Sequence, residues 1–182
     1  MRIDEPPSAI LFGFVNEPVG THTSRTMMLP ELSSLLEAVP PDACYEDYRH
    51  AAVTLNAVHK GSMSTRQKTF RHLRELYALR PTVPVFAALR ATWPNVATGR
   101  PLLATLCAVA RDPILRATFD EVERLQPGQE TTPQELAIAA DEAFPGHHGG
   151  TVTARTGRNI AASWKQSGLL EGRARKIRTV PE

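Results

Sequence analysis

The chain is expected to fold as a mainly α protein built from two helix-turn-helix-like helical modules, the second winged by a short β-hairpin or strand. Three observations point there. Apolar residues recur at helical spacing through most of the 182 residues, short Gly- or Pro-containing segments separate these stretches, and the last third ends in a basic helix, a glycine stop and a basic strand.

Residues 1–24 hold three prolines and show no sustained period, so they read as an irregular N-terminal arm with at most a short strand over Ile10 to Val15. The first module spans 25–95. Pro30 suits a first helical turn, and Leu32, Leu35, Leu36 and Val39 share one face before Pro40-Pro41 ends the helix. A second helix is expected from about Asp42 to Val58, with Tyr45, Tyr48, Ala52, Leu55 and Val58 on its stripe, and Gly61-Ser62-Met63 makes the turn. Ser64-Thr65-Arg66-Gln67 has capping-box form and predicts a helix through Leu79, apolar along Phe70, Leu73, Leu76 and Tyr77. Gln67, Lys68, Arg71 and Arg74 project from its other side. Between Pro81 and Pro94 a short helix carries Val85, Phe86, Leu89 and Trp93.

The second module spans 96–182. Leu102 to Ala110 is apolar nearly all round, which predicts a helix buried at the centre. Arg111 starts the next, with Pro113 in its first turn and Pro127-Gly128 closing it. Thr132-Pro133-Gln134-Glu135 joins an N-cap threonine, a first-position proline and a third-position glutamate ahead of a helix over Leu136 to Phe144. After the loop Pro145 to Gly150, a helix beginning near Thr151 or Thr153 turns Ile160 and Trp164 inward. Arg155, Arg158, Asn159, Ala162, Lys165 and Gln166 face out. Gly168 stands at the C-cap, and Leu169-Leu170 anchor a wing that continues through Ile177 to Val180.

Composition narrows the function classes. The hydrophobic share of 42% is ordinary for a globular chain, and no apolar run approaches the roughly 18 residues of a membrane span. Ile10 to Val15 is too short for a signal sequence and follows Asp4 and Glu5, so a cytoplasmic protein is expected. Cys44 and Cys107 lie in apolar helical patterns and read as buried free thiols. Net charge is only +2, yet Lys60 to Arg80 carries +5 and Thr151 to Glu182 another +5, which leaves −8 on the rest.

Long donor side chains on one exposed helix face suit a polyanion, since Arg and Lys pair with guanine edges or phosphates and Asn or Gln with adenine. Arg155, Arg158, Asn159, Lys165 and Gln166 supply that mixture, and Arg173, Arg175, Lys176 and Arg178 would hold phosphates from the wing. The face with Arg66, Lys68, Arg71 and Arg74 has two readings. It is a second DNA contact, or it docks on the acidic stretch Asp120 to Glu142. His147-His148 sits in a glycine loop with no third ligand nearby, the carboxylates Asp120, Glu121, Glu123, Asp141 and Glu142 read as solvated helix faces, and no phosphate-cradling glycine loop occurs. No catalytic residue, metal or cofactor is expected.

The string Asn159-x-x-x-Ser-Trp-x-x-Ser-Gly-Leu-Leu-Glu-Gly-x-x-x-Lys-Ile-x-x-x-Pro181 resembles the end of the BrxA family, small helical proteins of bacteriophage-exclusion (BREX) systems. Arg111-Asp-Pro-Ile-Leu-Arg-x-x-Phe119 and Thr65-Arg-x-x-x-x-x-x-Leu-x-x-Leu-Tyr77 fall in a compatible order, so the resemblance spans most of residues 25–182. It implies a non-enzymatic DNA-binding accessory protein, working on double-stranded DNA beside other defence-system proteins in anti-phage defence. Two alternatives use the same residues. One is a protein-protein adaptor, favoured if Trp164, Trp93 and Phe86 form an exposed patch, and the other is a winged-helix transcriptional regulator.

Overall fold

The computed structural model describes residues 8–17, 20–145 and 150–181. It is mainly helical with one small antiparallel sheet. The run expected as a strand is instead helix α1, Ser8–Leu11, followed by a turn. Helix ends explain this. The Phe12 carbonyl accepts from Val85 N, in the first turn of α5 (Pro84–Thr92), while Val15 N donates to Ala110 O, in the last turn of α6 (Arg100–Arg111). Both partners are groups that a helix leaves unpaired, so the arm is satisfied without a strand neighbour.

Helix α2 runs Leu29–Ala38 and buries Leu32, Leu35 and Leu36 as expected. The following helix is shorter than the periodicity predicts. It begins as α3, Tyr45–Arg49, widens into a π turn over His50–Thr54, and stops as Leu55 N bonds His50 O. That wider turn breaks the 3.6-residue register, and Leu55 emerges 67% exposed instead of continuing the stripe of Tyr48 and Ala52. Helix α4, Met63–Tyr77, is capped two residues earlier than expected, by Ser62 accepting from Thr65 N at 3.2 Å, and Gln67 has no capping role. It ends where Ala78 and Leu79 turn left-handed, at φ +61° and +54°. Its buried stripe is Phe70, Leu73, Leu76 and Tyr77.

Helix α6 is not enclosed on all sides. Ala104, Cys107 and Ala108 pack inward while Leu106 is exposed. Uniform apolarity hides this amphipathic placement, because a helix wheel without polar residues has no marked outer side. The single helix expected after Arg111 divides into α7, Pro113–Arg116, and α8, Phe119–Arg124. Asp112 caps α7, and the Thr118 hydroxyl donates to Leu115 O at 2.8 Å where the two part. Cys107 is buried as expected, but Cys44 is exposed beside the start of α3.

Strand β1, Glu130–Thr131, precedes helix α9, Pro133–Ala143, whose cap is the predicted reciprocal pair of Thr132 and Glu135. Helix α10, Gly150–Gln166, follows, then strands β2, Leu170–Glu171, and β3, Lys176–Arg178, in the sheet order β1-β3-β2. A strand, two helices and a hairpin thus follow one another, with β1 and β2 both paired to β3. Gly157 lets α9 and α10 approach: a Cβ there would collide with the Pro133 carbonyl oxygen and lie 2.8 Å from the Ala137 methyl. One contiguous core draws on both stretches, from Leu35, Tyr77 and Trp93 to Ile114, Ile160 and Trp164. No helix among the described residues is long and apolar enough to cross a membrane.

Candidate nucleic-acid interface

Helix α10 presents its cations as the sequence predicts and its amides otherwise. Arg155, Arg158 and Lys165 are exposed on one side. Arg158 and Lys165 have no hydrogen-bond or ion-pair partner among the described residues, and the Arg155 guanidinium only reaches Ser24 O at 3.3 Å. Asn159 and Gln166 are turned away from solvent by residues 20–29, which run from the end of the arm into α2 and lie along the helix as a strap. Asn159 Nδ2 donates to His22 O at 2.9 Å; Gln166 Oε1 accepts from Leu29 N and its Nε2 donates to Thr26 Oγ1, each at 3.2 Å. Amides so engaged do not read adenine edges.

The wing divides the same way. Arg173 is exposed and its guanidinium has no partner among the described residues, while Arg175 pairs with Glu130 at 3.0 Å through two largely exposed side chains. Such a surface pair holds little energy and yields to a competing phosphate. Lys176 is only 7% exposed, and its ammonium donates to the carbonyls of Gly172 and Arg173, closing the wing turn. Burial, with the nearby charge of Lys165, holds its pKa below the usual lysine value. Arg178 is half-buried, its guanidinium donating to Leu169 O and Thr179 O. Lys176 and Arg178 therefore brace the wing and are not free phosphate contacts.

On α4, Lys68 and Arg74 are exposed, their side chains without partners among the described residues, and Arg71 sits 3.7 Å from the Glu75 carboxylate in a loose surface pair. Arg66 points inward, donating to Lys60 O and Val53 O, and so stabilises the end of the π turn. None of these cations pairs with the acidic stretch from Asp120 to Glu142 among the described residues, where Arg124 meets Asp120 and Glu121 instead. His147 and His148 lie outside the described residues.

What the sequence does not signal is the device that fixes the strap. His22 is fully buried; its Nδ1 lies 2.7 Å from Asp112 Oδ2 and its Nε2 2.8 Å from Ser163 Oγ on α10. Asp112 also accepts from His22 N, Ile114 N and Leu115 N, so both carboxylate oxygens are occupied. Burial alone would raise the Asp112 pKa, but the charge and hydrogen bonds of His22, with the Leu115 amide, hold it below the ordinary carboxylate value. Gly20 makes the close approach possible, since a Cβ there would occupy the space of the Asp112 carboxylate. A second tie runs to α4, where Thr21 Oγ1 donates to Glu75 Oε2 at 2.9 Å beside His72 Nδ1 at 3.1 Å.

The order Asp112, His22, Ser163 is that of a serine-hydrolase triad, yet the geometry favours a pin. Ser163 is 1% exposed, and its hydroxyl already accepts from Met27 N at 2.8 Å and donates to Asn159 O at 2.9 Å. No surface remains through which an acyl group would reach it.

No known protein-family model matches the chain, and no curated protein matches it.

Proposed function

We propose that the protein binds duplex DNA through its phosphates, with α10 and the wing as the contact surface. The observation that carries this reading is the set of exposed cations Arg158, Lys165 and Arg173, whose side chains have no partner among the described residues, on the helix and hairpin of a winged unit whose Trp164 is fully buried. Burial of Trp93 and Phe86 as well weighs against an aromatic docking patch. Because the strap occupies Asn159 and Gln166, the remaining donors are cationic, which favours backbone contact over base reading. Lys68, Arg71 and Arg74 of α4 extend the cationic surface. A role as a non-enzymatic accessory of a BREX-type anti-phage system is part of the same proposal. The exposed Ile10, Leu11 and Phe12 of the arm suit a partner protein there.

Arg158→Ala with Lys165→Ala should weaken duplex affinity by roughly 1–3 kcal/mol while the melting temperature stays nearly constant. If Arg155, Arg158, Lys165, Arg173 and Arg175 each neutralise one phosphate, log K against log salt should slope at about −4.5. Fluorescence anisotropy on a labelled duplex at several salt concentrations measures both. Unchanged affinity in the double variant, or binding indifferent to salt, overturns the assignment.

A further inference from the structure

Where the strap covers Asn159 and Gln166, the donors that face solvent along α10 are those of the strap itself. Its path is fixed on both sides of Arg25. Arg155 Nη2 donates to Ser24 O at 3.3 Å and Gln166 Nε2 to the Thr26 hydroxyl at 3.2 Å, so Arg25 stands between two contacts with the same helix. Its own amide donates to Thr21 O at 2.8 Å, next in the chain to the buried His22. The Arg25 side chain is exposed and has no hydrogen-bond or ion-pair partner among the described residues. With the backbone tied in this way, only that side chain remains to be ordered when a ligand binds.

The same segment borders α4. Arg25, Thr65 and Asn159 are walls of one cleft, which sets the strap, α4 and α10 side by side. Lys68 is one helical turn from Thr65 and exposed. The carboxylates on this side of the strap are already engaged: Glu31 meets Lys60 at 2.8 Å, and Glu75 holds Thr21, His72 and Arg71. Neither neutralises Arg25. We propose that Arg25 contacts duplex phosphates and joins the cations of α10 to those of α4, so that one duplex lies across both helices on a single track. The inference rests on the reading of α10 as the duplex contact and adds to it a residue outside the helix and the wing. The strap residues on either side, Thr23, Ser24 and Thr26, are neutral, so Arg25 is the cation that bridges Arg155 and Lys68.

The test follows binding of the full chain to a labelled duplex of about 20 base pairs, two turns of B-form DNA, by fluorescence anisotropy over a range of salt. Arg25→Ala is expected to weaken affinity about fivefold and to make the slope of log K against log salt shallower by about 0.9, equally on duplexes of unrelated sequence. The melting temperature should not move, since the side chain has no partner to lose, and Arg25→Lys should keep the parent slope. Adding Lys68→Ala to Arg25→Ala should remove about 0.9 more from the slope, with no more than one duplex bound per chain. An unchanged slope in Arg25→Ala, beside weakened binding in the Arg158 and Lys165 double variant, overturns this inference and leaves the α10 contact standing. Two duplexes per chain overturns the single track. No duplex binding by the parent chain at low salt removes the α10 reading and this inference together.

Discussion

Asp112→Ala is expected to cost about 3–5 kcal/mol, because it leaves a fully buried imidazole without its carboxylate and orphans the amides of His22, Ile114 and Leu115 at once. Chemical denaturation followed by circular dichroism measures it, and a loss below about 1 kcal/mol would show that the pin does not hold the strap. The dependence on acid follows from the same carboxylate. The Asp112 pKa lies lower in the folded chain than in the unfolded one, since His22 and the backbone donors outweigh burial. As pH falls, the unfolded chain therefore takes up this proton first. The stabilisation is complete above the unfolded value of about 4 and drains away as pH falls through the folded value below it. Glu75 behaves likewise: burial, which would raise its pKa, is outweighed by hydrogen bonds from His72 and Thr21 and by the charges of His72 and Arg71. Asp112→Asn should thus flatten the acid limb of melting temperature against pH, leaving a smaller slope from Glu75. An acid limb identical to that of the parent chain would refute this account. Ser163→Ala removes the other end of the pin, and its loss should be far from additive with that of Asp112→Ala, as residues sharing one network are.

Local signals were legible where a few neighbouring residues decide the outcome. The Thr132 and Glu135 cap and the stripe from Phe70 to Tyr77 need nothing beyond their own turn of chain. Ile10 to Val15 misleads because β-branched and aromatic residues favour a strand only when a neighbouring strand is present, and here the nearest free backbone groups are helix ends. On α10 the helical period correctly separates Ile160 and Trp164 from Arg158 and Lys165. It fails for Asn159 and Gln166 because a second chain segment lies over them, brought from 137 and 140 residues away. Nothing near His22 marks it as the hub, since its partners are 90 and 141 residues distant and each is an ordinary residue in its own context. The arm reads as irregular for the reason that makes it useful. Its order comes from bonding the side chains and end groups of helices and not from any period of its own.

Trp164→Ala should destabilise the chain by about 3–5 kcal/mol, the range for deleting a buried indole. The ring is fully buried, its Nε1 donates to Thr118 Oγ1 at 2.9 Å, and its centroid lies 6.3 Å from that of Phe119. It therefore joins α10 to the break between α7 and α8, one short helix beyond the Asp112 cap that receives the strap. Removing it leaves a void between these elements and takes a donor from the Thr118 hydroxyl. Trp164→Phe separates the two contributions. It keeps most of the apolar contact and loses chiefly the hydrogen bond, so a cost of about 1–2 kcal/mol is expected. If the protein binds a duplex as proposed, the phenylalanine variant should retain that affinity while the alanine variant loses affinity and structure together. Unfolding curves recorded beside anisotropy titrations decide this. Equal stability of the alanine variant and the parent would mean that the winged unit does not depend on this ring, and with it the rigid support of the cationic ridge would be lost.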